Sequence, residues 1–191
     1  MRGFGVLPWL LPGLALSAVI GLAVGRRVAR AIRSTPLLGW ALVVSFGLVV
    51  SATLTPLRAG LDLGTTGVGT CDLSRMGLAP IQELFRISDT SLNVLLFIPL
   101  GLTLGLVPGS RRRNILAVIA ILSPFAIEAG QLVLPVLGRG CQSADVFDNL
   151  TGLLIGAVIG AGARILGELT APPSEPTSPP SERTSPPTDV S

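Results

Sequence analysis

Five apolar runs dominate the chain, at roughly 7–25, 37–55, 92–107, 115–137 and 150–166. An α-helix needs about 20 apolar residues to cross the hydrocarbon of a bilayer, within a range of about 17–25. The pattern therefore predicts an all-α fold, a polytopic transmembrane helix bundle of about five spans. The third and fifth runs are short, so their helices are expected to continue past the apolar stretch or to sit where the bilayer thins. The first run also fits a signal peptide with Arg2 as its charged start. It is long, however, and arginines follow it instead of a small-residue cleavage site, which favours a first span.

The polar stretches between the runs predict an orientation. Arg26, Arg27, Arg30 and Arg33 follow the first run, Arg111, Arg112 and Arg113 separate the third from the fourth, and Arg164 closes the fifth. Five alternating spans place all of them on one side, which the positive-inside rule makes cytoplasmic. The expectation is a multi-pass protein of the cell membrane with its N-terminus outside and its C-terminus in the cytoplasm. Segments 56–91 and 138–149 then face outward and carry Asp62, Asp72, Glu83, Asp89, Asp145 and Asp148. Gly60, Gly64, Gly67 and Gly69 open the first of these loops as irregular chain. Its end, Pro80 to Ser88, reads as a short interfacial helix with Ile81, Leu84 and Phe85 on one face, or as a loop with chance periodicity. From Pro172 onward two imperfect seven-residue repeats, Ser174–Pro180 and Ser181–Pro187, contain almost nothing apolar to bury. They predict a disordered, extended cytoplasmic tail.

Composition narrows the chemistry. Only 13% of the 191 residues are charged, about half the share of a soluble domain. All 14 basic residues are arginine and there is no histidine, which removes the commonest general base and metal ligand. Two cysteines without histidine predict no metal site. No phosphate-cradling glycine motif or nucleotide fingerprint is present, so no cofactor is expected. The arginines cluster at helix ends, where they act as topology signals, and no nucleic-acid partner is expected. Oligomeric state is not legible.

Candidate chemistry resides in five polar residues within or bordering apolar runs: Asn93, Glu128, Gln131, Asp145 and Asn149. A carboxylate in hydrocarbon costs a few kcal/mol, so it usually faces the bundle interior and often serves a function. Counted from the cytoplasmic ends of their helices, Asn93, Glu128 and Asn149 all lie roughly 20–22 Å up. Glu128 and Gln131 are three apart and share a helix face; Asp145 and Asn149 share one if their helix reaches back that far. Pro99, Pro124 and Pro135 interrupt the same helices and free carbonyls there. Gly101/Gly105 and Gly152/Gly156/Gly160 form four-residue glycine stripes suited to close helix packing. Arg139 is expected at the rim of the cluster, holding a phosphate or carboxylate or pairing with Asp145. Asn and Gln can also serve only to join helices, so a structural role stays open. Cys71 and Cys141 fall in the two outward loops, where a disulfide would persist and tie one loop over the cluster; two free thiols are the alternative.

These segments resemble the VanZ-like family. Asn93-Val-Leu-Leu-Phe-Ile-Pro-Leu-Gly101 is similar to its N-x-L-x-F-x-P-x-G segment. Ser123-Pro-Phe-Ala-Ile-Glu128-Ala-Gly-Gln131 is similar to its S-x-x-x-x-E-x-x-Q segment. Arg139, Asp145, Asn149 and Gly152 resemble its R-x5-D-x3-N-x-x-G ending, and Leu78-Ala-Pro80 its short proline segment. The resemblance spans about 78–160. It divides the chain into a two-span region with its outer loop at 1–77, a VanZ-like membrane domain at 78–166 and a tail at 167–191. One departure is that Ser143 and Ala144 stand where the family often has a second acidic residue; Asp148 is a possible substitute.

The resemblance implies an integral envelope protein, linked in some members to low-level glycopeptide resistance, notably to teicoplanin. It supplies no established reaction. Three functions follow as expectations. The first is binding of a membrane lipid, a lipid-linked wall precursor or a lipophilic antibiotic at Asn93, Glu128, Gln131, Arg139, Asp145 and Asn149. The second is an intramembrane enzyme on a lipid head group, with Glu128 as acid or base and Asp145 as a further catalytic candidate; no nucleophile or metal set accompanies them. The third is a small proton-coupled transporter, without a visible inverted repeat.

Overall fold

The computed structural model describes residues 8–57, 69–78, 80–86 and 88–170. Five of its helices are long and apolar enough to cross a membrane: α1 (Leu10–Ile32), α2 (Pro36–Thr53), α4 (Asp89–Leu106), α5 (Arg111–Val133) and α6 (Ser143–Thr170). A single turn, α3 (Ile81–Leu84), precedes α4, and two short strands, β1 (Cys71–Asp72) and β2 (Cys141–Gln142), pair in parallel. The protein is an all-α polytopic bundle with a small ribbon at one end.

Local chemistry sets the turns. Arg33 adopts a left-handed backbone (φ 54°) and ends α1. Two residues later the Thr35 hydroxyl accepts the Leu38 N–H at 3.3 Å, with Pro36 at the first helical position, a preferred start. The result is a tight α1–α2 hairpin, stitched by Trp40 Nε1 donating to Ala18 O at 3.2 Å. Ser88 and Ser91 form a reciprocal cap on α4, and the Ser110 hydroxyl accepts the Arg113 N–H at 3.1 Å to start α5.

The closest packing joins α4 to α6. A Cβ on Gly101 would run into Leu153 O, and one on Gly156 into Ile98 O. Both glycine stripes are thus in backbone-to-backbone contact, as small residues permit. Around them Phe97, Leu100 and Leu104 of α4 pack with Leu42 and Val49 of α2, Ile127 of α5 and Leu153 of α6.

The helix ends depart from the apolar runs. α1 continues past position 25 through Arg26, Arg27 and Arg30 to Ile32, because arginine is a good helix former whose head can reach out of the hydrocarbon. α6 starts at Ser143 and ends at Thr170, well beyond 150–166. Half of the expected outer segment 138–149 is therefore helical, and so are the first four residues of the expected tail. α5 stops at Val133, and Pro135–Leu137 forms a separate 3-10 turn. The helix expected over Pro80 to Ser88 is only the one turn Ile81–Leu84, with Ile81 and Phe85 exposed; Ser88 serves α4 instead. Arg2, Gly60, Asp62, Gly64, Gly67 and the repeats beyond Pro172 lie outside the described residues.

Candidate functional site

One end of the bundle is basic. Arg112 Nη1 donates to Ala31 O at 3.0 Å and joins the arginine-rich end of α1 to that of α5. The opposite end gathers the end of α2, the start of α4, the end of α5, the start of α6 and the ribbon. There Cys71 pairs with Cys141 and Asp72 with Gln142 in register, and Cys71 and Cys141 are joined by a disulfide with their Cα atoms 4.5 Å apart.

The polar residues of α5 reach backbone groups. Glu128, only 5% exposed, accepts the Gln142 N–H at 2.7 Å through Oε2. Gln131, one turn on, donates from Nε2 to Thr53 O at 3.2 Å. Arg139, in the connection between α5 and α6, donates from Nη2 to Ala52 O. Burial lowers the pKa of its guanidinium, and the nearby carboxylates of Asp145, Glu128 and Asp89 oppose that effect. These three side chains thereby fasten the end of α2 and strand β2 to α5.

On α6, Asp145 lies beside the Asn93 amide and within electrostatic reach of Asp89, Asp148 and Arg75. One turn further, Asp148 and Asn149 are both 1% exposed. Asp148 Oδ2 forms an ion pair with Arg75 Nη2. Arg75 also donates to Ala144 O at 3.4 Å, and its own carbonyl accepts the Ser143 hydroxyl at 2.8 Å. Asp148 Oδ1 and Asn149 Oδ1 have no hydrogen-bond partner. On the ribbon, Asp72 Oδ1 accepts the Ser74 N–H at 2.8 Å, which holds its carboxyl below the usual aspartate value.

A cavity of about 430 Å³ opens at this end, lined by Asp72, Ser74, Arg75, Ser88, Asp89, Thr90, Gln142, Ala144 and Asp145. Of the six candidate binding residues only Asp145 lines it, with Asn93 beside Asp145. Glu128 stands behind the wall, on the N–H of the lining residue Gln142. Gln131 and Arg139 brace the neighbouring segments, and Asn149 is buried in α6. The position left by Ser143 and Ala144 is not filled by Asp148, which is taken by Arg75; the carboxylates on the wall with Asp145 are Asp72 and Asp89. Among the described residues no three of His, Cys, Asp or Glu are placed to share a metal ion.

Sequence reasoning missed Arg75. Its signal was available: it is one of three arginines, with Arg58 and Arg86, in a segment assigned to the side opposite the arginine clusters. Ala52 and Thr53 act through main-chain carbonyls and carry no sequence signal at all.

A family model described as VanZ/LLP1 matches residues 42–164. The chain belongs to the VanZ/LLP1 family. The VanZ/LLP1 match begins inside α2, well before the motifs at 78–160, so it includes the carbonyls that Gln131 and Arg139 hold. No curated protein and no solved structure matches the chain.

Proposed function

We propose that this VanZ-like membrane protein binds an amphipathic envelope ligand at the outer end of its bundle. The ligand would be a membrane lipid, a lipid-linked wall precursor or a lipophilic glycopeptide. Through that site the protein would contribute to tolerance of teicoplanin-type antibiotics, as the family resemblance implies. The observation that carries the proposal is the cavity beside the ribbon, with its wall residue Gln142 held from behind by buried Glu128. Three carboxylates and one arginine line it, and that arginine is already paired with Asp148. The charge balance suits amine- or hydroxyl-bearing parts of a ligand better than bare phosphate.

Two independent features support placing this end outside. The opposite end carries the arginine clusters of α1 and α5, as the positive-inside rule expects of a cytoplasmic face, and disulfides persist outside the reducing cytoplasm. Reporter fusions after Arg33, Gly69, Arg112, Gly140 and Ala171 are expected to read in, out, in, out, in. Cys71 and Cys141 are expected to take up alkylating reagent only after reduction. An outside reading at Ala171, or thiols alkylated without reductant, would remove the outer site.

The function itself is tested with Asp145→Asn, which keeps the shape of the lining and removes one charge. Cells expressing the wild type are expected to tolerate more teicoplanin than cells with an empty vector. The variant is expected to lose that gain at equal membrane abundance and with an unchanged lipid profile. Lipid chemistry that changes with the wild type and reverts with the variant would replace binding by catalysis on a lipid head group. An unchanged teicoplanin response in the variant would refute the cavity as the site.

A further inference from the structure

We propose a second site, at the basic end of the bundle: a slot between α2, α4 and α5 takes one acyl chain of an anionic phospholipid whose phosphate rests on Arg113. It is separate from the outer cavity and does not depend on the function proposed there.

The slot has a volume of about 190 Å³, and every residue lining it is apolar, among them Leu42, Phe46, Leu104, Leu116, Ile119 and Ala120. It exists because α5 packs chiefly against α6 and meets α4 only lightly. Phe46 and Ile119 are roughly half exposed, so the slot opens sideways onto the face that hydrocarbon covers. Depth follows from helix rise. Leu116 and Ile119 lie roughly 8 and 12 Å from the start of α5, and Leu42 lies roughly 9 Å from the start of α2. Leu104 lies two residues from the end of α4. All four are in the half of the bundle next to the arginines, where a phospholipid of that leaflet places its upper chain.

Charge selects the head group. Arg113 precedes Leu116 and Ala120 by three and seven residues, so it stands on the same helix face, directly above the slot. Its Nε is buried without a hydrogen-bond partner. Among the described residues the ion pairs are Arg75–Asp148 and Arg164–Glu168, and none of their carboxylates pairs with Arg113. Its backbone N–H donates to the Ser110 hydroxyl, which fixes the first turn of α5 from which the side chain projects. A guanidinium fork matches phosphate oxygens, and an arginine at a helix end reaches the head-group level. The Arg112 guanidinium is turned to Ala31 O, so Arg113 is the arginine that serves the slot.

The test uses the full chain purified in mild detergent and read by native mass spectrometry. Phosphatidylglycerol and phosphatidylcholine with identical acyl chains are offered together. One phosphatidylglycerol is expected to be retained in preference by about fivefold, the worth of one arginine near anionic lipid. Arg113→Gln is expected to abolish the preference and Arg113→Lys to keep most of it. Ile119→Trp, at the half-exposed mouth of the slot, is expected to lower retention of both lipids without altering yield. Equal retention of the two lipids by the wild type overturns the proposal, and so does a preference that survives Arg113→Gln. Displacement of bound phosphatidylglycerol by glycerol 3-phosphate also overturns it, because a head group alone would then suffice.

Discussion

Gly156→Leu is expected to leave almost no folded protein in the membrane, while Gly162→Leu in the same helix is tolerated. At Gly156 a Cβ would meet Ile98 O and Leu102 N, both backbone atoms of α4. Gly152 and Gly160 face Val94 O and Leu102 O, and from the other side Gly101 and Gly105 face Leu153 O and Ala157 O. No flexible side chain can yield at any of these points. Overpacking ordinarily costs about 1–3 kcal/mol. Here the only accommodation is to move α4 from α6, which loosens all five contacts together and shifts Asp145 and Asn149, carried on the start of α6. The cost therefore lies at or above the top of that range. Gly162 has nothing within 4 Å of its Cβ position, so the same substitution there only adds surface. Size-exclusion profiles of the two variants, tagged and expressed alike, make the comparison. Equal monodisperse yields would show that the backbones need not touch.

The second large effect concerns Glu128. Glu128→Gln is expected to leave membrane abundance normal and to lose the antibiotic-tolerance phenotype. The amide oxygen of glutamine can still accept the Gln142 N–H, so the ribbon stays fastened, but the carboxyl group, with its capacity to hold or release a proton, is gone. Glu128→Leu is expected to lose both phenotype and abundance, because it strands that N–H in a buried site, at a cost of about 1–3 kcal/mol. Protein level and teicoplanin susceptibility are measured in parallel for the two variants. A fully active glutamine variant would mean that Glu128 is only a fastening between α5 and β2.

The legible and illegible parts of this molecule divide along physical lines. The five spans were legible because transfer into hydrocarbon adds up over about twenty residues. Their ends were not, since polar residues such as Arg26 and Ser143 continue a helix as readily as they leave it. The shared face of Glu128 and Gln131 was legible from their spacing of three. What they hold was not: Thr53 O and the Gln142 N–H are main-chain groups that any residue would present. The cavity wall needed the ribbon, and two-residue strands give no periodicity to read. Asp148 illustrates the remaining gap. Its distance from Asp145 along the chain could be counted, but its ion pair with Arg75, 73 residues away, depends on how β1 lies against α6.

The disulfide has a consequence for how the protein is made. Its cysteines are 70 residues apart in sequence, and α4 and α5 lie between them. In the proposed orientation, which puts the ribbon outside, Cys71 would be delivered across the membrane about 70 residues ahead of its partner. At ribosomal rates of about 5–20 residues per second, its thiol waits roughly 4–14 seconds for Cys141. During that interval α4 must descend and α5 must return before the two sulfurs can meet. In that orientation the bond is a closing act of biogenesis, and a chain that fails to insert α5 would carry an unpaired thiol at the cell surface.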